Sequence, residues 1–177
     1  EVGDQFAANG LSRLMLFNAH GGQIGFLQTA ARQLRLNNPS MAVLPCFLWN
    51  GVDSLKELIP QNERAEGLHA GLAETSLMLS IAPELVGKDR PCDGSHASPE
   101  DQATPPEGWT LEGPAPCAWL TEDLSRSGVI GDSREASEAL GEALKVRLVE
   151  HWTTLFTNLM ASDWPQLLVK NHFDLTT

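Results

Sequence analysis

Two short apolar runs within the first fifty residues, RLMLF at 13–17 and MAVLPCFLW at 41–49, flank a stretch with helical periodicity. Ile24, Leu27, Ala31 and Leu34 share one face of a helix predicted over 24–36, with Arg32 and Arg35 late in it, where the macrodipole favours positive charge. Asn37, Asn38 and Pro39 stop that helix. Continuous apolar runs read as strands covered on both faces, because a strand with one wet side alternates. Strand, helix, strand over so short a span favours two parallel strands joined by a right-handed crossover. The expected class is therefore α/β. Pro45 hints at a strand end or a bulge, and Gly10 closes what reads as the end of a helix over residues 1–9.

Downstream, a short helix is predicted near Asp53–Leu58, then a loop, then a helix from Glu74. Residues 87–118 are rich in proline and glycine, with Cys92 and Cys117 near the ends, and read as a long irregular loop. Beyond it, a turn with Ser133 as N-cap leads into a long amphipathic helix. The tail after Pro165 carries no assignable pattern. With 177 residues and 42% hydrophobic content, the whole of 1–177 is expected to form one domain with a real core.

Charge narrows the partners. Lys and Arg number 12 against 23 Asp and Glu, a net charge of -11, and no basic cluster appears. A nucleic-acid surface needs such a cluster, so none is expected. No apolar run approaches the roughly 20 residues of a membrane span, so no membrane partner is expected either. Three cysteines, Cys46, Cys92 and Cys117, with no CxxC pair, fit a reducing, cytoplasmic setting.

Two places carry candidate chemistry. His20 follows the first strand and precedes Gly21 and Gly22. Open parallel sheets bind ligands at that end of their strands, and the glycines let the backbone approach closely. The imidazole either binds a metal or moves a proton there, or simply packs beneath the next helix. The second place is HAGLAET, where His69 and Glu74 are five residues apart. Glutamate oxygen suits zinc or manganese, and histidine suits zinc or acid–base work. Glu74 alone is also explained by a helix N-terminus.

NAHGG at a strand end, HAGLAETSLML some fifty residues later, then SGVIGDSREASEALG, together resemble the creatininase (creatinine amidohydrolase) family. The resemblance covers most of the chain. It implies a three-layer α/β sandwich with a mostly parallel sheet, a homohexamer, and two divalent metal ions, zinc and/or manganese. It implies hydrolysis of a C–N bond in a small cyclic or linear amide. Carried over by position, His20 and Glu74 are metal ligands and His69 shuttles a proton to the leaving nitrogen. Trp49 matches a substrate-pocket tryptophan, and Asp132 a turn position before the last helix. Metals lower the pKa of bound water and polarise the carbonyl, and an amide nitrogen leaves only once protonated.

The departures refine the expectation. The family's other ligands lie in an N-terminal Glu-x-His-Gly-x-His-Leu-Pro segment and a following aspartate, with no counterpart between Glu1 and Thr177. The chain is therefore expected to be the C-terminal two-thirds of the domain, with its N-terminal strands missing. Creatininase proper has a glutamate where this chain has Gly22 and a tryptophan where it has Ala65. Creatinine is thus not the expected substrate, while formamides and peptide-like amides are handled by relatives of the HGG form. His96, His151 and His172 read as solvated or packed side chains. Alternatives are a non-catalytic binding or assembly subunit without a complete metal site, and a phosphate- or nucleotide-binding domain.

Overall fold

The computed structural model describes residues 1–94 and 105–165. The expectations for His96, for His172, for the tail after Pro165 and for the middle of the 87–118 loop fall outside them. The described chain divides into two compact units, one comprising Glu1–Gly51 with the chain from His151, the other Val52–Glu150.

In the first unit, α1 (Val2–Ala8) ends where glycine predicts. Gly10 is left-handed at φ 83°, and the N–H groups of Gly10 and Leu11 reach the carbonyls of Ala7 and Phe6 at 3.0 and 3.1 Å. This is a Schellman turn, which satisfies carbonyls the helix end leaves open. β1 (Arg13–Asn18), a 3-10 turn at Gly21–Gln23, α2 (Ile24–Asn37) and β2 (Ala42–Phe47) follow. β1 and β2 pair in parallel, from Arg13 opposite Ala42 to Asn18 opposite Phe47. The predicted βαβ unit is there.

One expectation about it needs correcting. Leu14, Met15 and Leu16 are half-buried and Phe17 is 47% exposed, so β1 is not covered on both faces. Among the described residues its sheet has two strands, and a narrow sheet leaves apolar runs less sheltered than a wide one. Pro45 is exposed and lies inside β2, opposite Leu16. Phe17 stands edge-on to Trp152, with ring centroids 4.7 Å apart, and Trp152 Nε1–H donates to the Leu48 carbonyl at 2.8 Å. Ala31, Met41 and Ala42 are the buried apolar positions around α2 and β2.

The second unit opens with a 3-10 turn, Asp53–Glu57, where a short helix is predicted. Then α3 (Gln61–Glu66) occupies what reads in the sequence as a loop. Its segment, QNERAE, has no apolar periodicity, because the residue it buries is Glu63. α4 (Leu72–Ile81) starts two residues before Glu74. β3 (Cys92–Asp93) pairs antiparallel with β4 (Gly131–Asp132), with α5 (Thr121–Leu124) between them in sequence. α6 (Glu138–Ala161) is the long last helix.

Ser133 is not the N-cap of α6. Its Oγ donates to the Pro91 carbonyl at 2.7 Å, and the helix begins five residues later, where Ser137 Oγ accepts the Leu140 N–H at 3.3 Å. Both serines suit a cap by type, and only tertiary contacts choose between them. α4 and α6 meet almost backbone to backbone: a Cβ at Gly141 would lie 1.8 Å from the Ser76 carbonyl oxygen. Ser76, fully buried, accepts the Ser137 N–H through its Oγ at 3.1 Å. Leu55, Ile59, Leu72, Ile130, Leu144 and Leu148 fill the core of this unit. No helix among the described residues is long and apolar enough to cross a membrane.

Candidate functional site

His20 leaves the end of β1 in a fixed backbone geometry. Its N–H donates to Asn18 Oδ1 at 3.0 Å, and Asn18 Nδ2–H donates back to the His20 carbonyl at 2.7 Å. Asn18 is buried, so this reciprocal clamp is anchored in the unit, while His20 itself is exposed. A Cβ on Gly22 would stand 3.0 Å from His20 Nε2. The second glycine therefore clears space for the imidazole. Trp49 sits half-buried in the turn after β2. Since Asn18 and Phe47 are register partners, His20 and Trp49 each lie two residues beyond the same carboxyl edge of the parallel pair, where open sheets present ligands.

His69 and Glu74 belong to the second unit, and there the chain brings them face to face. His69 Nδ1 lies 4.0 Å from Glu74 Oε2, and both side chains are partly exposed, at 44% and 38%. The backbone of the histidine is pinned on one side by Ile130, whose N–H donates to the His69 carbonyl at 2.8 Å and whose carbonyl accepts from Leu68 and His69. On the other side Ala70 takes up a left-handed conformation, φ 52°. That costs a non-glycine residue about 1 kcal/mol. It is held by the Ala70 N–H donating to Glu74 Oε2 at 2.6 Å and by Thr75 Oγ1–H donating to the Ala70 carbonyl at 2.8 Å. The strained turn is what folds the histidine back over the glutamate.

A residue that carries no sequence signal underlies this loop. Glu63 is 6% exposed; Oε1 accepts the Leu72 N–H at 2.6 Å and Oε2 accepts the Asp132 N–H at 3.0 Å. Three glycines make room for its carboxylate. A Cβ would lie within 2.9 Å of Oε1 at Gly67, 2.0 Å at Gly71 and 2.9 Å at Gly131. In the sequence Glu63 looks like one more surface charge on a polar segment.

Asp93 fixes the approach to Ile130 from the other end. Its Oδ2 accepts the N–H groups of Arg126 and Ser127 at 3.0 and 2.9 Å, and the hydroxyls of Ser125 and Ser127. The Ser127 N–H above all holds this carboxyl well below the usual carboxylate range, despite some desolvation. A depressed pKa in the folded state contributes stability that is present above about pH 4, the unfolded value, and is lost as pH falls below it. Asp93→Asn is expected to lower stability by about 2 kcal/mol at pH 7. Denaturant melts should show that gap shrinking steadily between pH 4 and pH 2.

His20, in the first unit, carries an imidazole nitrogen and Glu74, in the second, a carboxylate oxygen, atom types that suit zinc or manganese. Among the described residues no three His, Cys, Asp or Glu side chains come together to hold an ion. His151, by contrast, packs in the first unit, with Gly51 3.7 Å from its ring for any added Cβ and Trp152 edge-on at 5.5 Å.

Comparison with known proteins places the chain as a whole. A family model described as creatininase, creatinine amidohydrolase, matches residues 1–156. A mycofactocin precursor peptide peptidase of Mycobacterium ulcerans (strain Agy99) is 30% identical over 152 residues, 81% of this chain and 48% of that protein. A structure from Bacteroides fragilis NCTC 9343, described as a creatinine amidohydrolase, superposes with a TM-score of 0.69 at 20% identity, over 93% of this chain and 60% of that one. Creatininase structures in a two-zinc form and a manganese form superpose with a TM-score of 0.64 at 23% identity, over 91% of this chain and 61% and 62% of theirs. The chain thus spans about half the length of the curated relative it matches.

Proposed function

This chain belongs to the creatininase family, and on that premise we propose that it carries the proton-transfer part of an amidohydrolase that cleaves a C–N bond. The observation that supports the reading most is the His69–Glu74 pair, set 4.0 Å apart by a left-handed Ala70. The left-handed turn is tied to the first turn of α4 through Glu74 and Thr75.

Divalent ions, two of zinc or manganese by analogy with creatininase, would supply an activated water and a polarised carbonyl. The described residues do not close a site for them, so they account for proton transfer and not for activation of the water. His69 is partly exposed, and its imidazole is of the right chemistry to protonate a departing amine near neutral pH. Its Nδ1 faces Glu74 Oε2 at 4.0 Å. His20 and Glu74 are the metal ligands of this reading, and Trp49 one wall of the substrate pocket.

The substrate class we propose is a peptide-like or other linear amide. The 30% identical relative is described as a peptide peptidase, and Ala65 stands where creatininase proper has a tryptophan that helps enclose its substrate. A cytoplasmic setting and a homohexameric assembly complete the proposal, the latter to be read by light scattering. The direct test uses the complete natural protein, supplied with zinc or manganese, against a panel of short peptides, formamides and cyclic amides. Amine release from a peptide or linear amide is the expected result. Silence across the panel in a metal-loaded protein would overturn the reading in favour of a non-catalytic binding subunit.

A further inference from the structure

We propose that Glu63 is a positioning residue for His69, a role that rests on the functional reading above. Its carboxylate ties together the two segments that flank the histidine. On one side Oε1 holds the N–H of Leu72, the first residue of α4 and three residues beyond His69. On the other, Oε2 holds the N–H of Asp132, two residues beyond the Ile130 that pairs with His69 in both directions. The histidine backbone is thus gripped between two strands of chain that share one buried anchor.

A carboxylate is a costly choice for a purely structural stitch. Taking a charge out of water carries a penalty of several kcal/mol, offset only when good hydrogen bonds satisfy it. Here the bonds are charge-assisted, the kind that fixes geometry as well as adding energy. The surroundings are shaped to the group: Gly67, Gly71 and Gly131 each border it so closely that a methyl would collide with Oε1. The strained Ala70 lies between His69 and Gly71, so the anchor at Leu72 also closes the turn that presents the imidazole.

Catalytic geometry is sensitive to such support, because a displacement of about 1 Å costs on the order of 10²-fold in rate. Glu63→Gln preserves shape but turns one oxygen into a donor, facing either the Leu72 or the Asp132 N–H. The expected result is a kcat about 10²-fold lower, KM changed by less than about threefold, and displaced His69 ring signals in the NMR spectrum. Glu63→Asp keeps the charge with a shorter reach and is expected to fall between the two; it carries the test if Glu63→Gln does not fold. Unchanged kcat together with unchanged His69 signals in a folded variant would overturn the proposal and leave Glu63 a structural stitch. Absence of hydrolysis by the wild-type protein would defeat the functional reading instead, and the His69 signals would still decide the role of Glu63.

Discussion

Replacement of His69 by alanine is expected to lower kcat for amide hydrolysis by about 10³-fold, within the range for loss of a positioned proton donor. That is roughly 4 kcal/mol of transition-state stabilisation. In the proposed role the imidazole acts on the leaving nitrogen and not on binding, so KM should stay within a few-fold. Stability should hardly move. The side chain is 44% exposed, its hydrogen bonds to Ile130 run through the backbone, and substitutions at such surfaces usually stay within about 0.5 kcal/mol. Steady-state kinetics beside a thermal melt separate these outcomes. A large drop in melting temperature with little loss of kcat would show that His69 supports the fold and does no chemistry.

The second large effect is expected at Gly71, where alanine should cost about 3 kcal/mol or more and reduce activity with it. The cause is contact and not conformation. Gly71 has φ -77°, which any residue adopts, but its Cβ would fall 2.0 Å from Glu63 Oε1 and 3.4 Å from Gly131 Cα. The carboxylate must give way and surrender the Leu72 N–H, leaving a buried charge poorly satisfied. A domain of this size should lose about 10 °C in melting temperature. Gly21→Ala is the matched control, since nothing lies within 4 Å of that Cβ and the backbone is not left-handed; it should be near neutral. A Gly71→Ala protein as stable as the wild type would mean that the Glu63 anchor is not formed in solution.

What was legible in the sequence was whatever rests on local periodicity and local turn chemistry. The βαβ unit, the stop at Gly10 and the approach of His69 to Glu74 all follow from neighbouring residues, and the structure has them. The rest depends on partners far along the chain. α3 forms around a buried glutamate, so no apolar stripe marks it. Ser133 and Ser137 are equally good caps by type, and the Pro91 carbonyl takes the first of them. The importance of Glu63 is invisible until Gly67 and Gly71 are seen to converge on one carboxylate with Gly131, sixty residues further along the chain.

The claim that His69 delivers the proton is tested most directly by the leaving group. An amide that the wild-type protein cleaves is compared with its oxygen ester, whose alkoxide departs far more readily than an unprotonated amine. If His69 protonates the leaving nitrogen, His69→Ala should lose about 10³-fold in kcat on the amide and less than about tenfold on the ester. Equal losses on the two substrates would contradict the account, because they would place His69 in a step that does not involve the departing atom.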